Sequence, residues 1–208
     1  MGTTKPTQFR TYLEEIRAMA EGPFEEMEPE VEETNLFPKQ FFEIVKESGI
    51  YRCALPEAYG GWGMSDLELV QIQEEYSRGP GGMRMYLHYA MGMNWRILND
   101  FGSESLKTEF LPQMLDGTVF TCFGLTEETG GTGADLHTTA VRDGDDYIIN
   151  GEKTLISYAQ YANYAYVFAV TDPESKKDDR ISAFFVPMDL PGLRVEEIPV
   201  PMGCRGAG

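Results

Sequence analysis

The residues best suited to hold a ligand form one run, Phe123-Gly124-Leu125-Thr126-Glu127-Glu128-Thr129-Gly130-Gly131-Thr132-Gly133. Glycines let the backbone approach a ligand with no Cβ in the way, and successive N–H groups can form a concave nest for an anion. Thr126, Thr129 and Thr132 add hydroxyl donors. The run is not a phosphate-binding G-x-x-x-x-G-K-[ST] loop, because no Lys follows. Nor is it a G-x-G-x-x-G dinucleotide fingerprint, because no helical pattern opens after it. On residue chemistry alone, a plain flexible turn and an anion site both stay open.

The remaining reactive side chains point to no second centre. Glu127, beside the loop, is a candidate base, with a structural loop role the preferred reading. His88 and His137 lack an Asp, Ser or Cys partner at recognisable spacing, so packing or surface roles are expected. Cys53, Cys122 and Cys204 are odd in number, far apart and without a CxxC pair, which predicts a reducing, cytoplasmic setting and no metal site. The 208 residues carry 17 bases against 34 acids, a net charge of −17 with no Lys/Arg cluster, which argues against nucleic acid and anionic membrane surfaces. No run approaches about 18 apolar residues, and the first residues lack an apolar core, so neither a membrane span nor a signal peptide is expected.

These residues need elements to position them, and the pattern changes once along the chain. Phe9, Tyr12, Leu13, Ile16 and Met19 predict an amphipathic helix over 7–20. Glu21 to Glu33, with seven Glu, Pro23 and Pro29, reads as a solvated connector. Phe41 to Ser48, closed by Gly49, gives a second helix, and Ser65-Asp66-Leu67-Glu68 has capping-box spacing for a third, to about Arg78. One long helix is expected over 83–101, and another from Glu104 to about Pro112. From Thr118 strand patterns take over. They are Val119–Phe123, a hairpin turning at Asp143-Gly144-Asp145, and runs at Thr154–Tyr158, Tyr164–Val170, Ile181–Val186 and Leu193–Ile198. The fold class is therefore α+β: an all-helical domain over 1–117, then an antiparallel, β-barrel-like domain over 118–208.

Several motifs in order resemble the acyl-CoA dehydrogenase family. They are Leu55-Pro56-Glu57-Ala58-Tyr59-Gly60-Gly61, Phe101-Gly102-Ser103-Glu104 with Phe110-Leu111-Pro112, Leu125-Thr126-Glu127, Gly144-Asp145-Asp146-Tyr147-Ile148-Ile149-Asn150-Gly151-Glu152-Lys153, and Ile181-Ser182-Ala183-Phe184-Phe185-Val186-Pro187. The resemblance implies a helical domain, a middle β-domain and a C-terminal helical domain. It also implies FAD as cofactor, held by Phe123, Leu125, Thr126, Gly131 and Thr132 and by a second segment, Leu155, Ile156 and Ser157. Backbone groups around Leu125 and Thr126 would bond the pyrimidine ring, and Ser157 the N5 atom. Leu155 stands where the family usually has an indole over the ring, and Glu128 replaces a usual Pro. Thr132, Met85, Tyr86, Tyr89 and Met93 would border the acyl-CoA.

The activity so implied is α,β-desaturation of an acyl-CoA thioester, with an electron-transfer flavoprotein as acceptor and a homo- or hetero-oligomeric assembly. The family's base is a Glu of the C-terminal domain, so no catalytic residue is expected within these 208 residues. The middle domain reads as incomplete at its C-terminal end. The chain is accordingly expected to be a fragment of a longer enzyme, ahead of one half of a split enzyme, and inactive alone. A non-catalytic ligand- or partner-binding module, and a flavin-dependent oxidase or hydroxylase on the same scaffold, are the alternatives.

Overall fold

The computed structural model describes residues 4–130, 135–175, 179–198 and 202–208. The chain divides into two compact units, one of residues up to Phe120 together with the segment ending at Ala207, the other spanning Thr121–Ile198.

The first unit is helical. α1 (Phe9–Met19) buries Tyr12, Ile16 and Met19, the stripe expected from their spacing. The Glu-rich run is not a connector. A π turn (Ala20–Phe24) leads into α2 (Glu25–Thr34), with Pro23 and Pro29 inside the helical path. Pro lacks the N–H an α-helix needs, and the wider π turn carries Pro23. Phe24, Met27 and Val31 are buried at helical spacing, an apolar stripe that the seven Glu conceal. α3 (Lys39–Ser48) ends at Gly49 in the left-handed conformation, followed by α4 (Ile50–Cys53). α5 (Asp66–Tyr76) starts on Ser65 with both bonds of the capping box formed. Arg17 of α1 grips Glu75 of α5 through two bonds of 2.7 and 2.8 Å, and Arg78 adds a third at 3.0 Å.

The long helix expected over 83–101 is two helices. α6 (Gly81–Met91) and α7 (Met93–Phe101) are separated by Gly92, whose φ of −110° and ψ of −89° leave the helical region. The Trp95 indole N–H, 2.7 Å from the Met91 carbonyl, caps that carbonyl at the break. α8 (Glu104–Met114) continues past Pro112, farther than the proline suggested. Met202 to Ala207 lie on this same unit, where the Gly206 N–H donates to the buried Asn35 Oδ1 at 2.8 Å.

The second unit is a five-stranded sheet, mixed and open rather than antiparallel and barrel-like. β4 (Tyr164–Val170) is its spine. β5 (Ile181–Pro187) runs antiparallel along the whole of it, whereas β1 (Thr121–Gly124) pairs with it in parallel. β2 (Thr139–Asp143) and β3 (Asp146–Asn150) form the expected hairpin, which joins β4 through the parallel pair Thr139 and Val170. Strand periodicity reports which face is buried but not the direction of the partner, so parallel pairing left no mark in the pattern. Neither Thr154–Tyr158 nor Leu193–Ile198 is a strand. In the former, Leu155 and Tyr158 have φ of 56° and 65°, which no extended run tolerates.

Gly49 shows how tightly the helical unit is closed. Its φ is +78°, and a Cβ there would lie 2.2 Å from the Trp62 ring. Gly49→Ala is expected to cost about 2 kcal/mol or more, from left-handed strain plus overpacking. A urea midpoint that does not move, followed by Trp fluorescence, would contradict this.

Candidate functional site

Two loops of the sheet unit are brought together. The first leaves β1 at Leu125, and the second leaves β3 at Gly151. Thr154 donates its N–H to the Thr126 carbonyl at 2.9 Å, stitching one to the other. Between Glu127 and Gly130 two reciprocal 3.0 Å backbone bonds close a tight turn. Gly151, at φ +157°, sits so close to Thr138 that a Cβ would lie 2.4 Å from its hydroxyl, which is why glycine stands at this point.

Glu127 is the centre of this arrangement. The residue is buried, yet its carboxylate faces four donors. The His137 N–H reaches Oε2 at 2.6 Å; the Thr138 N–H at 2.9 Å, the Thr138 hydroxyl at 2.5 Å and the Lys153 ammonium at 2.8 Å all reach Oε1. Burial raises the carboxyl pKa, but the bonds from Lys153, Thr138 and the two backbone amides outweigh it and hold the group at about 2. A carboxylate so saturated is not a base for neutral pH, and the structural role is the one the geometry gives it.

The predicted cofactor residues line up along these two loops. Phe123 lies in β1 against Phe168, with ring centroids 4.9 Å apart. The Leu125 N–H donates to the Phe123 carbonyl, its carbonyl accepts from Lys153 at 3.2 Å, and the Thr126 carbonyl accepts from Thr154. The backbone groups around Leu125 are thus largely committed inside the protein. The Thr126 N–H and hydroxyl, and the Ser157 hydroxyl, make no hydrogen bond among the described residues. Leu155 is 67% exposed, with Ile156 half-buried beside it and Tyr158 buried behind. Its left-handed backbone costs roughly 1–2 kcal/mol, strain of the kind that collects at ligand sites. Glu128 is exposed. Gly131 and Thr132 lie outside the described residues. Lys153 and Thr138 were not singled out from sequence. The only signal was a basic residue between the Asn150-Gly151 turn and the Leu155 segment.

The predicted substrate residues belong to the helical unit and do not share one environment. Tyr86 is a core residue, its hydroxyl 2.8 Å from that of Tyr51 and its ring stacked on Phe120 at 4.6 Å. Tyr89 is also buried, against Phe120. Met85 is half-buried, and Met93, beyond the Gly92 break, is 43% exposed. Both histidine side chains are exposed, and the three cysteines are free. Among the described residues no group of His, Cys, Asp and Glu is arranged to hold a metal, and no helix is long and apolar enough to cross a membrane.

A helical unit followed by a mixed sheet with two cross-linked loops has counterparts among known proteins. The model of the acyl-CoA dehydrogenase N-terminal domain matches residues 7–118, and that of the acyl-CoA dehydrogenase middle domain matches 122–208. The chain belongs to the acyl-CoA dehydrogenase family. A probable acyl-CoA dehydrogenase of Bacillus subtilis is 36% identical over 178 residues, covering 85% of this chain and 47% of that protein. A glutaryl-CoA dehydrogenase from Mycobacterium smegmatis, solved with FADH2, aligns with a TM-score of 0.82 at 27% identity, over 98% of this chain and 51% of the other. A chain in the structure of the electron transferring flavoprotein of Acidaminococcus fermentans aligns with a TM-score of 0.86 at 29% identity, over 100% of this chain and 55% of that one. The chain thus spans about half the length of the relatives it matches.

The Glu127 network makes an acid prediction. The folded pKa is depressed below the ordinary 4.5, so the stabilisation is complete above about 4.5 and is lost as pH falls toward about 2. That difference corresponds to about 3 kcal/mol. Protection of the Thr138 amide from hydrogen exchange should fall across this window in the native protein. In Glu127→Gln it should be low already at neutral pH and flat below it. A flat native profile would contradict the prediction.

Proposed function

We propose that this chain is the flavin- and acyl-CoA-binding part of an enzyme that desaturates an acyl-CoA thioester between Cα and Cβ. The observation that carries this reading is the pair of stitched loops. They leave the Thr126 N–H and hydroxyl and the Ser157 hydroxyl without hydrogen-bond partners among the described residues, on the two segments that the family resemblance assigns to FAD. These donors fit a flat heterocycle rich in carbonyl oxygens and ring nitrogens. When bound, FAD supplies a hydride acceptor at N5. The role of Ser157 is to donate a hydrogen bond at that atom, and the role of Thr126 is to hold the pyrimidine edge, which fixes the ring against the substrate. Exposed Leu155 offers an apolar cover smaller than an indole. Thr132 would approach the pyrophosphate and the acyl-CoA.

Proton removal from Cα needs a carboxylate facing the substrate from the side opposite the flavin. Glu127 is committed to its donors, and the base that the family resemblance implies is a Glu of a C-terminal helical domain, carried on the same or a separate chain. Met85, Tyr89 and Met93 remain the residues of the helical unit assigned to the acyl group, whereas buried Tyr86 supports them from the core. The acceptor is an electron-transfer flavoprotein, a reading supported by the likeness to the Acidaminococcus fermentans chain. The assembly is oligomeric and cytoplasmic.

The test is to co-express the chain with a downstream helical polypeptide. A yellow complex that bleaches when an acyl-CoA is added is expected. A colourless, stable protein would overturn the reading in favour of a non-catalytic module. A reduced flavin that reacts with oxygen rather than with an electron-transfer flavoprotein would assign an oxidase or hydroxylase instead. Ser157→Ala should slow flavin reduction about tenfold, the worth of one hydrogen bond made at the reacting atom. An unchanged single-turnover rate would remove Ser157 from this role.

A further inference from the structure

We propose that Glu127 and Lys153 are positioning residues for the flavin, forming a buried clamp that holds the segment at Leu125 and Thr126 at a fixed spacing from the segment at Leu155 to Ser157. The inference rests on reading those segments as the flavin contacts. Its content is that the two are set by one ion pair rather than independently.

The geometry is specific. The Lys153 ammonium donates to the Leu125 carbonyl at 3.2 Å and to Glu127 Oε1 at 2.8 Å, so one charge spans the loop on both sides of Thr126. The Lys and Glu side chains are only 12% and 5% exposed. The next residue, Thr154, bonds the Thr126 carbonyl, and Leu155 follows directly. The Lys153 stem lies over Gly124, 3.7 Å from where a Cβ would stand. Displacement of either segment therefore breaks the pair and leaves a buried charge without its counter-ion.

The group at the centre must be an anion. A carboxylate only accepts, and Glu127 accepts three donors at Oε1 and one at Oε2. A glutamine amide would turn its own N–H groups toward at least one of those donors. Removing one partner of a buried pair is far more disruptive than losing an exposed one, because the other charge is left stranded.

The experiment compares Glu127→Gln, Lys153→Met and the double variant with the native protein, in the assembly that binds FAD. A milder variant, Thr138→Val, removes one donor and keeps the charges. The control Ser182→Ala loses a 2.8 Å bond to Thr171 between the end of β4 and β5, and keeps every bond to Glu127 and Lys153. Three quantities are read: FAD affinity of the apoprotein, the visible spectrum of the bound flavin, and exchange of the Thr154 amide without flavin.

Each charge variant should weaken FAD binding by about tenfold to a hundredfold, the penalty of misplacing contacts by about an ångström. The flavin spectrum should shift and Thr154 should exchange faster, with Thr138→Val intermediate. The double variant should lose no more than the worse single one, as members of one unit do. Ser182→Ala should lower the melting temperature and leave FAD affinity unchanged. Native protein that binds FAD while the variants match it in affinity and spectrum would overturn the clamp alone. Native protein that takes up no FAD would overturn the flavin reading and the clamp with it. Should the charge variants fail to fold, Thr138→Val with native affinity and native Thr154 exchange would still refute the proposal.

Discussion

Four hydrogen bonds converge on the carboxylate of Glu127, and the irregular half of the sheet unit is arranged around them. A buried anion is tolerated only when its acceptor sites are filled. The demand for donors therefore recruits the start of β2 through His137 and Thr138, and the end of the β3 loop through Lys153. Because those donors come from two stretches far from Glu127 in sequence, satisfying one charge ties three segments together at once. The strands alone would not do this. β1 and β3 are each short, and the loops that leave them have no ladder of their own.

The helical unit uses the same device at lower cost. Glu75 accepts from Nε and one Nη of Arg17 and takes a third bond from Arg78, and the charge-assisted fork ties α1 to α5. Its apolar core contains an aromatic cluster, with Tyr86 meeting Phe37, Phe41, Phe42 and Phe120. Tyr86 is thereby committed to packing. Tyr89, one turn away, is buried as well, whereas Met85 on the same helix is only half-buried.

Much of the architecture was legible wherever local patterns carry the information. The stripe of α1, the capping box of α5, the left-handed Gly49 and the hairpin at Gly144 all follow from residue types within a few positions of one another. The errors share a cause. Seven Glu suggested a solvated connector where a helix buries Phe24, Met27 and Val31, because net charge hides a stripe only three residues wide. The residue types of Thr154–Tyr158 suggested a strand, but Leu155 and Tyr158 stand in the left-handed region, next to the bond that Thr154 makes to the first loop. The apolar periodicity continues across Gly92, which conceals the break between α6 and α7.

The sequence by itself determined the two-part order of helices and strands, the glycine- and hydroxyl-rich run after β1, and the family motifs that link them to flavin chemistry. These are local: composition, period and spacing along the chain. The parallel pairing of β1 with β4, the splitting of α6 from α7 and the union of Glu127 with Lys153 were decided only by tertiary structure. A buried charge draws its partners from wherever the chain returns, here 10, 11 and 26 positions along the sequence, and no local pattern records that distance.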